Sequence, residues 1–262
     1  MRLGLIGVGN MGGAILQGVI GSNIYDVKDI FIFNRTRSKV EGFIKQGVNF
    51  LEDEVAVARN ADILIIGVKP QSFKALSDII GDSIDENTIV VSIAAGISLL
   101  NLEEMFGKGK YIRVMPNTPA LVRSGMTAIC KNELASLEDL ELIKGIFDAV
   151  GSTTVIEESM IDAFSGICGC MPAYVYMFIE AAADAAVKNG IKRDDAYKYI
   201  AQTLKGSAEM ILETGKHPGQ LKDQVTSPGG STIRGVLALE EAGFRNAVIK
   251  AVDASSNYKI DL

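Results

Sequence analysis

The chain has 262 residues, with 26 Lys and Arg against 32 Asp and Glu, a formal net charge of −6, and 48% hydrophobic against 22% charged residues. That is an ordinary globular composition, long enough for one large domain or two modest ones. A single histidine, His217, excludes a zinc site built on two or more imidazoles, and three cysteines, Cys130, Cys168 and Cys170, are too few for a four-thiolate site. No metal is expected, the odd cysteine count fits a reducing cytoplasm, and a net negative chain without basic runs argues against general nucleic-acid binding.

In chain order, Arg2 to Ile6 reads as a strand rather than a targeting signal, because glycines break the apolar run at once. Ile30 to Phe33, Asp62 to Ile66, Thr88 to Ser92 and Tyr111 to Met115 are further strands, with helical patterns such as Arg37 to Gln46 and Gln71 to Ile80 between them. This alternation predicts a Rossmann-type doubly wound parallel sheet covered on both faces, which Thr127 to Lys131 and Thr153 to Ile156 extend. After about Glu157 the alternation stops. Met171 to Asn189, Asp194 to Glu213 and Gly230 to Asn257, interrupted near Gly243, favour helix, and alanine-rich faces such as Ala181 to Ala183 suggest packing between subunits. The expected fold is therefore α/β, with a dinucleotide-binding domain over 1–156 and an all-α dimerisation domain over 157–262. The uncharged stretch Ala163 to Ile179 falls short of a membrane span and is flanked by Asp162, Glu180 and Asp184. Each such carboxylate costs about 2.5–3.5 kcal/mol at a bilayer centre, so a buried helix at a subunit interface is the reading taken.

After Ile6 comes Gly7-Val8-Gly9-Asn10-Met11-Gly12, ending the first strand and opening the first helix. GxGxxG is weak alone, but in this setting Gly7 allows the turn, Gly9 lets the backbone approach a pyrophosphate, Gly12 permits close helix packing, and the helix N-terminus favours the anion. At the end of the second strand, NAD-preferring sites place an acid for the ribose 2′-hydroxyl, whereas this chain reads Phe33-Asn34-Arg35-Thr36-Arg37. Asn34 and Thr36 can donate to a 2′-phosphate and Arg35 can pair with it, so NADP(H) is expected, with NAD(H) tolerated; Arg35 and Arg37 form a local basic pair. Val68-Lys69-Pro70 and Ala94-Ala95-Gly96 follow later strands and should face the same crevice. Lys69 offers a cation near the ribose or reacting ring, or is simply a surface lysine.

Gly7 to Gly12, Val68-Lys69-Pro70-Gln71, Ala94-Ala95-Gly96, Met115-Pro116-Asn117-Thr118-Pro119 and above all His217 to Thr232, HPGQLKDQVTSPGGST, resemble pyrroline-5-carboxylate reductase, the last enzyme of proline biosynthesis. The resemblance covers essentially the whole chain, and its most specific part runs from Val225 to Glu241. It implies reduction of the cyclic imine 1-pyrroline-5-carboxylate to L-proline by hydride from NADPH or NADH. An imine that is protonated or hydrogen-bonded needs no histidine acid or base. In Ser227-Pro228-Gly229-Gly230-Ser231-Thr232, glycines leave the backbone open and the N–H groups of Ser231 and Thr232 would point from a helix start at the substrate carboxylate. The alternative from local sequence is that Ser227 or Ser231 merely caps the helix. The resemblance assigns the Thr232 hydroxyl to the ring nitrogen and places Glu158 near the substrate; Glu158 is equally a first-turn helix acid. It also implies a homodimer whose site is completed by the partner's Thr232 loop, and a larger ring such as a decamer. Departures from the family pattern are Cys168-Gly169-Cys170-Met171 before Pro172, Gln224 for an asparagine, and Glu54 for an asparagine near the cofactor. Cys168 and Cys170 read as small apolar core residues, and His217 as structural. Rival readings are a related NADP-linked imine or hydroxy acid reductase, and a non-catalytic NADP-binding regulatory paralogue.

Overall fold

The computed structural model describes residues 1–256. Strands β1 (Leu3–Ile6), β2 (Ile30–Phe33), β3 (Asn49–Phe50), β4 (Ile63–Ile66), β5 (Ile89–Ser92), β6 (Lys110–Met115), β7 (Gly125–Lys131) and β8 (Gly151–Val155) form one sheet in the order β3-β2-β1-β4-β5-β6-β7-β8. The apolar runs LGLI, ILII and IVVS are buried along their whole length, as strands covered on both faces must be. Every pairing is parallel except β6 with β7. The antiparallel pair departs from the all-parallel expectation because residues 116–124 are too short for a parallel crossover, which needs a dozen residues or more. β3 escaped the sequence reading because two residues carry no periodicity; the Asn49 side chain secures it by donating to the carbonyls of Lys28 and Ile30.

Helices α1 (Asn10–Ser22), α2 (Glu41–Ile44), α3 (Glu54–Asn60), α4 (Phe73–Ile80), α5 (Leu99–Phe106) and α6 (Leu137–Asp148) connect these strands. Two separate apolar clusters result. One packs Ile15, Leu16 and Val19 of α1 with Ile143, Ile146 and Phe147 of α6, and the other packs Phe73, Leu76 and Ile80 of α4 with Val57 of α3 and Leu102 of α5. Cys130 lies within the second cluster, where burial, reinforced by Glu158, pushes its thiol up to about 12. Like Cys130, Cys168 is a free thiol raised by burial, although Cys168 and Cys170 are only half-buried rather than core residues.

By compactness the chain divides into Met1–Gly169 with Ser256, and Cys170–Ser255. The sheet-bearing unit thus runs past the boundary at 156 that the change of pattern suggested. The reason is local: α7 (Ile161–Phe164) buries Ile161 in the second cluster, and Arg113 of β6 holds Glu158 just ahead of it. A π-helical turn, Ser165–Gly169, ends the unit, and the Cys168 carbonyl accepts from the Asn117 side chain at 2.9 Å.

The second unit contains α8 (Met171–Lys188), α9 (Arg193–Thr214), α10 (Pro218–Gln224), α11 (Ser231–Glu241) and α12 (Phe244–Ser256). The break at Gly243, with φ of +73°, falls where expected, and Asn257 lies outside the described residues. α10 was hidden in the HPGQLKDQ motif. Its N-cap is His217, whose Nδ1 accepts from the Gly219 amide at 3.0 Å. Ala183 of α8 and Ala196 of α9 are fully buried, whereas Tyr176, Met177, Leu212, Leu237 and Ile249 are largely exposed. This unit presents apolar helix faces rather than enclosing a core of its own. By length and apolarity alone, Glu158–Lys188 would suffice to cross a membrane.

Backbones come close at β7 and β8, where Gly125 pairs with Gly151. Gly151 has φ of +150°, and a Cβ there would lie only 2.6 Å from the Gly125 carbonyl carbon and closer still to its oxygen. Backbone cannot give way as a side-chain tip can, so Gly151→Ala is expected to destabilise the fold by about 2 kcal/mol or more, read as a lowered Tm in thermal unfolding.

Candidate dinucleotide cleft and substrate loop

Strand order reverses between β1 and β4, and the carboxyl ends of strands at such a reversal form the ligand crevice of open α/β sheets. A cleft of about 250 Å³ opens there, lined by Ile6, Gly7 and Gly9 after β1, by Phe33 to Thr36 after β2, and by Gly67, Val68 and Lys69 after β4. Gly7 has φ of +86°, and a Cβ on it would meet the Gly67 backbone at 2.8 Å. Gly9 is the N-cap of α1 and offers no capping side chain, so the first-turn N–H groups of α1 are left for a ligand. A Cβ on Gly9 would meet nothing within 4 Å, which means that it points into the space a pyrophosphate needs. On these observations the cleft fits a dinucleotide.

Not every residue read from the motif lines the cleft. Val8 is buried and Met11 partly buried against the first apolar cluster, so these two contribute backbone only. Asn10, Gly12 and Pro70 are outside the lining. So are Ala94, Ala95 and Gly96, which follow β5 beside it: the Ile93 amide donates to the Ile66 carbonyl at 3.2 Å, and Gly96 turns with φ of +83°. At the basic end, Arg35 lines the cleft but Arg37 does not. Its guanidinium sits 4.8 Å over the Phe50 ring, a cation–π contact, and Lys39 takes the second cationic place. Lys39 and Ser72 were missed by the sequence reading; Lys39, four residues after Arg35 across a 3-10 turn, carried the signal in its spacing. Glu54 also lines the cleft from the start of α3. Asn34 spends one amide hydrogen on the Thr36 carbonyl at 2.9 Å, and its amide has a second.

In the helical unit, the segment from Ser227 closes a turn in which the Gly230 amide donates to the Ser227 carbonyl at 3.1 Å. α11 then begins at Ser231 with Gly230 as N-cap and no capping side chain. Neither Ser227 nor Ser231 caps the helix, against the local alternative. The N–H groups of Ser231 and Thr232 are the uncapped first-turn donors, which is the arrangement an anion requires. Glu158, by contrast, has its carboxylate engaged within the sheet-bearing unit, accepting from Arg113 at 3.0 Å and from the Leu99 amide at 2.7 Å.

A dinucleotide cleft at the switch point of a doubly wound sheet, followed by a helical module, defines a dehydrogenase-type oxidoreductase. Residues 2–96 match the family described as NADP oxidoreductase coenzyme F420-dependent, and residues 158–262 match pyrroline-5-carboxylate reductase dimerisation. The chain is 49% identical over 254 residues to the pyrroline-5-carboxylate reductase of Escherichia coli, covering 96% of this chain and 94% of that one, and 39% identical to that of Glycine max, covering 99% and 95%. Among solved structures, the Plasmodium falciparum pyrroline carboxylate reductase with NADP bound aligns with a TM-score of 0.89 and 35% identity over 98% of this chain and 95% of that one. A pyrroline-5-carboxylate reductase from Coxiella burnetii aligns with a TM-score of 0.92 and 34% identity over 98% and 96%. The chain belongs to the pyrroline-5-carboxylate reductase family.

Two of the cleft's glycines, Gly7 and Gly9, separate folding from binding. Gly9→Ala should fold with an unchanged Tm yet weaken dinucleotide binding by about tenfold or more, because the added methyl faces only the ligand space; Gly7→Ala should lower the Tm as well. Calorimetric titration with NADP+ alongside thermal unfolding reads both.

Proposed function

We propose that this chain reduces 1-pyrroline-5-carboxylate to L-proline, as the names of its relatives indicate, with NADPH as the preferred reductant and NADH tolerated. The observation that carries the reading is the uncapped start of α11 behind the Ser227 to Gly230 turn, in a chain that also holds a dinucleotide cleft. Bound NADPH would supply a hydride to the carbon of the protonated imine, whose ring N–H proton stays on nitrogen as it becomes the amine.

The chain's own residues then have three tasks. The first is to hold the dinucleotide, with Ile6, Gly7, Val8, Gly9, Asn10, Met11 and Gly12 along its pyrophosphate. Asn34, Arg35 and Thr36 take the 2′-phosphate, Lys39 adds charge there, and Val68, Lys69 and Pro70 with Ala94, Ala95 and Gly96 lie along the nicotinamide side. The second is to anchor the substrate carboxylate on the Ser231 and Thr232 N–H groups, with Ser227 and Gly230 shaping the turn, so that the flat ring has one orientation. The third is to hold the ring nitrogen, to which the Thr232 hydroxyl donates a hydrogen bond as the imine becomes an amine. No step asks for an imidazole, and His217 is already committed as the cap of α10. Lys69 has a single assigned part in this scheme, a cation beside the ribose or the reacting ring.

Association is part of the same proposal. The exposed apolar faces of the helical unit and the match to a dimerisation family support a homodimer, and a larger ring such as a decamer is built from it. Three free cysteines support a cytoplasmic setting. A role on membranes or nucleic acid is not part of the proposal. The stretch Glu158–Lys188 begins with carboxylates, and the net charge is negative.

The test is NADPH consumption with racemic pyrroline-5-carboxylate, repeated with NADH. The wild type should turn over, and its absence would sink the reductase reading in favour of a non-catalytic NADP-binding protein. Thr232→Ala should lower kcat by about a hundredfold. A charge-assisted bond to a phosphate contributes about 1.5–3 kcal/mol, so Arg35→Ser should raise KM for NADPH by about tenfold or more and leave NADH nearly unaffected. Equal losses with both cofactors would remove the 2′-phosphate role from Arg35.

A further inference from the structure

Arg113 lies in the middle of the sheet, on β6, and is 7% exposed. A buried guanidinium is costly unless paired. Its Nη1 donates to Glu158 Oε1 at 3.0 Å, and Asp162 lies farther out at 3.8 Å from Nη2. The same Glu158 oxygen accepts the backbone N–H of Leu99, the first residue of α5, at 2.7 Å. Ser98 meanwhile accepts from Asn101 in a capping box, so the two side chains between them satisfy different donors of one helix start. Glu158 therefore does something a local cap cannot. It reaches back across fifty-nine residues and ties the start of α5 to an arginine anchored in the sheet.

The segment just ahead of Leu99 is Ala94-Ala95-Gly96-Ile97-Ser98. At its near end the Ile93 amide bonds to the Ile66 carbonyl, and the Ala94 amide donates to Ser92 Oγ at 3.3 Å. Ile97 is fully buried, and Gly96 between them adopts φ of +83°. The loop is thus held at its strand end by backbone and at its helix end by Glu158. We propose that Glu158 is a positioning residue, whose carboxylate, oriented by Arg113, fixes the 94–98 loop along the nicotinamide side of the cleft; this replaces a direct contact with the substrate. The proposal rests on the reductase reading above.

The experiment measures the full-length enzyme and two variants, Glu158→Ala and Glu158→Gln, by steady-state kinetics with NADPH, by NADP+ titration and by thermal unfolding. Gln keeps an oxygen for the Leu99 amide, while Ala keeps none. A loop displaced by a fraction of an ångström misplaces the reacting carbon, so Glu158→Ala should lower kcat by about tenfold or more, leaving KM for pyrroline-5-carboxylate and the affinity for NADP+ within about twofold. Glu158→Gln should recover most of that kcat. Three results would overturn the proposal. A raised KM for the imine with kcat intact would return Glu158 to the substrate. A lowered Tm with unchanged kcat in the folded fraction would leave it a structural cap, and failure of Gln to restore kcat would separate the effect from the Leu99 bond. Should Ala not fold, the Gln variant and Ser98→Ala answer the question, the latter loosening the same helix start from its other cap and lowering kcat in the same pattern. An inactive wild type would instead defeat the reductase reading itself.

Discussion

The site depends on how closely two chain segments pass where the strand order reverses. The Gly67 amide donates to the Ile6 carbonyl at 2.8 Å, the Gly7 amide donates to the Phe33 carbonyl at 3.2 Å, and Gly7 occupies a left-handed conformation between them. A side chain on Gly7 would run into Gly67 and Val68, and one on Gly12 would run into the Gly7 carbonyl at 2.9 Å. These contacts bring the ends of β1, β2 and β4 into one crevice and aim the start of α1 at it. Gly9, which nothing crowds, is free of side chain for a different reason. Its neighbour is the ligand and not the protein.

The dinucleotide motif and the Ser227 to Thr232 turn share one local device. α1 and α11 both begin at a glycine N-cap with no side chain to satisfy the first amides. Side chains do cap α5, α6 and α3, through Ser98, Ser136 and Asp53, whereas α2, α4, α7, α8 and α9 also start without a side-chain cap. What sets α1 and α11 apart is the glycine at the N-cap, which costs only about a few tenths of a kcal/mol against a Ser or Thr cap and leaves no side chain over the first amides. A carboxylate or phosphate restores the missing partner and meets the positive end of the helix dipole as well.

What the sequence disclosed and what it withheld follow the range of the interactions. The strands on both sides of the reversal were legible because burial on two faces demands unbroken apolar runs, and Gly7 and Gly9 because backbone geometry restricts residue type locally, whereas the Ser227 to Thr232 turn stood out through the family resemblance. Arg37 was misplaced because its partner, the Phe50 ring, lies on the next strand over. Glu158 was read as a substrate residue or a first-turn acid, and neither reading could find Arg113 or Leu99, since no local pattern links them. Residues after 157 look helical in sequence and match the dimerisation family from 158, while Ile161 packs into the second apolar cluster, a contact no local pattern reveals. The antiparallel β7 needed only the length of one connection, which the sequence contained and the alternation of elements obscured.

The scarcity of histidine then acquires a structural meaning. A reaction that adds hydride to an imine creates no oxyanion and requires no strong base, so its demands are orientation and electrostatic restraint. In the proposed scheme backbone amides and a hydroxyl meet them, while the one imidazole closes the start of α10 by accepting from Gly219. Titratable groups with large shifts are buried away from the cleft. Cys130 and Tyr111, both raised to about 12 by burial first of all, stay neutral inside the second apolar cluster. Arg113, buried in the sheet, is paired with the half-buried Glu158, as buried Asp139 is with Lys110. A buried ion pair is weak support for stability, since apolar residues of the same volume do as well or better. Its retention at the root of the 94–98 loop is accounted for by direction: a carboxylate held by a fixed guanidinium can hold one particular amide, whereas an apolar contact would leave the loop free to slide.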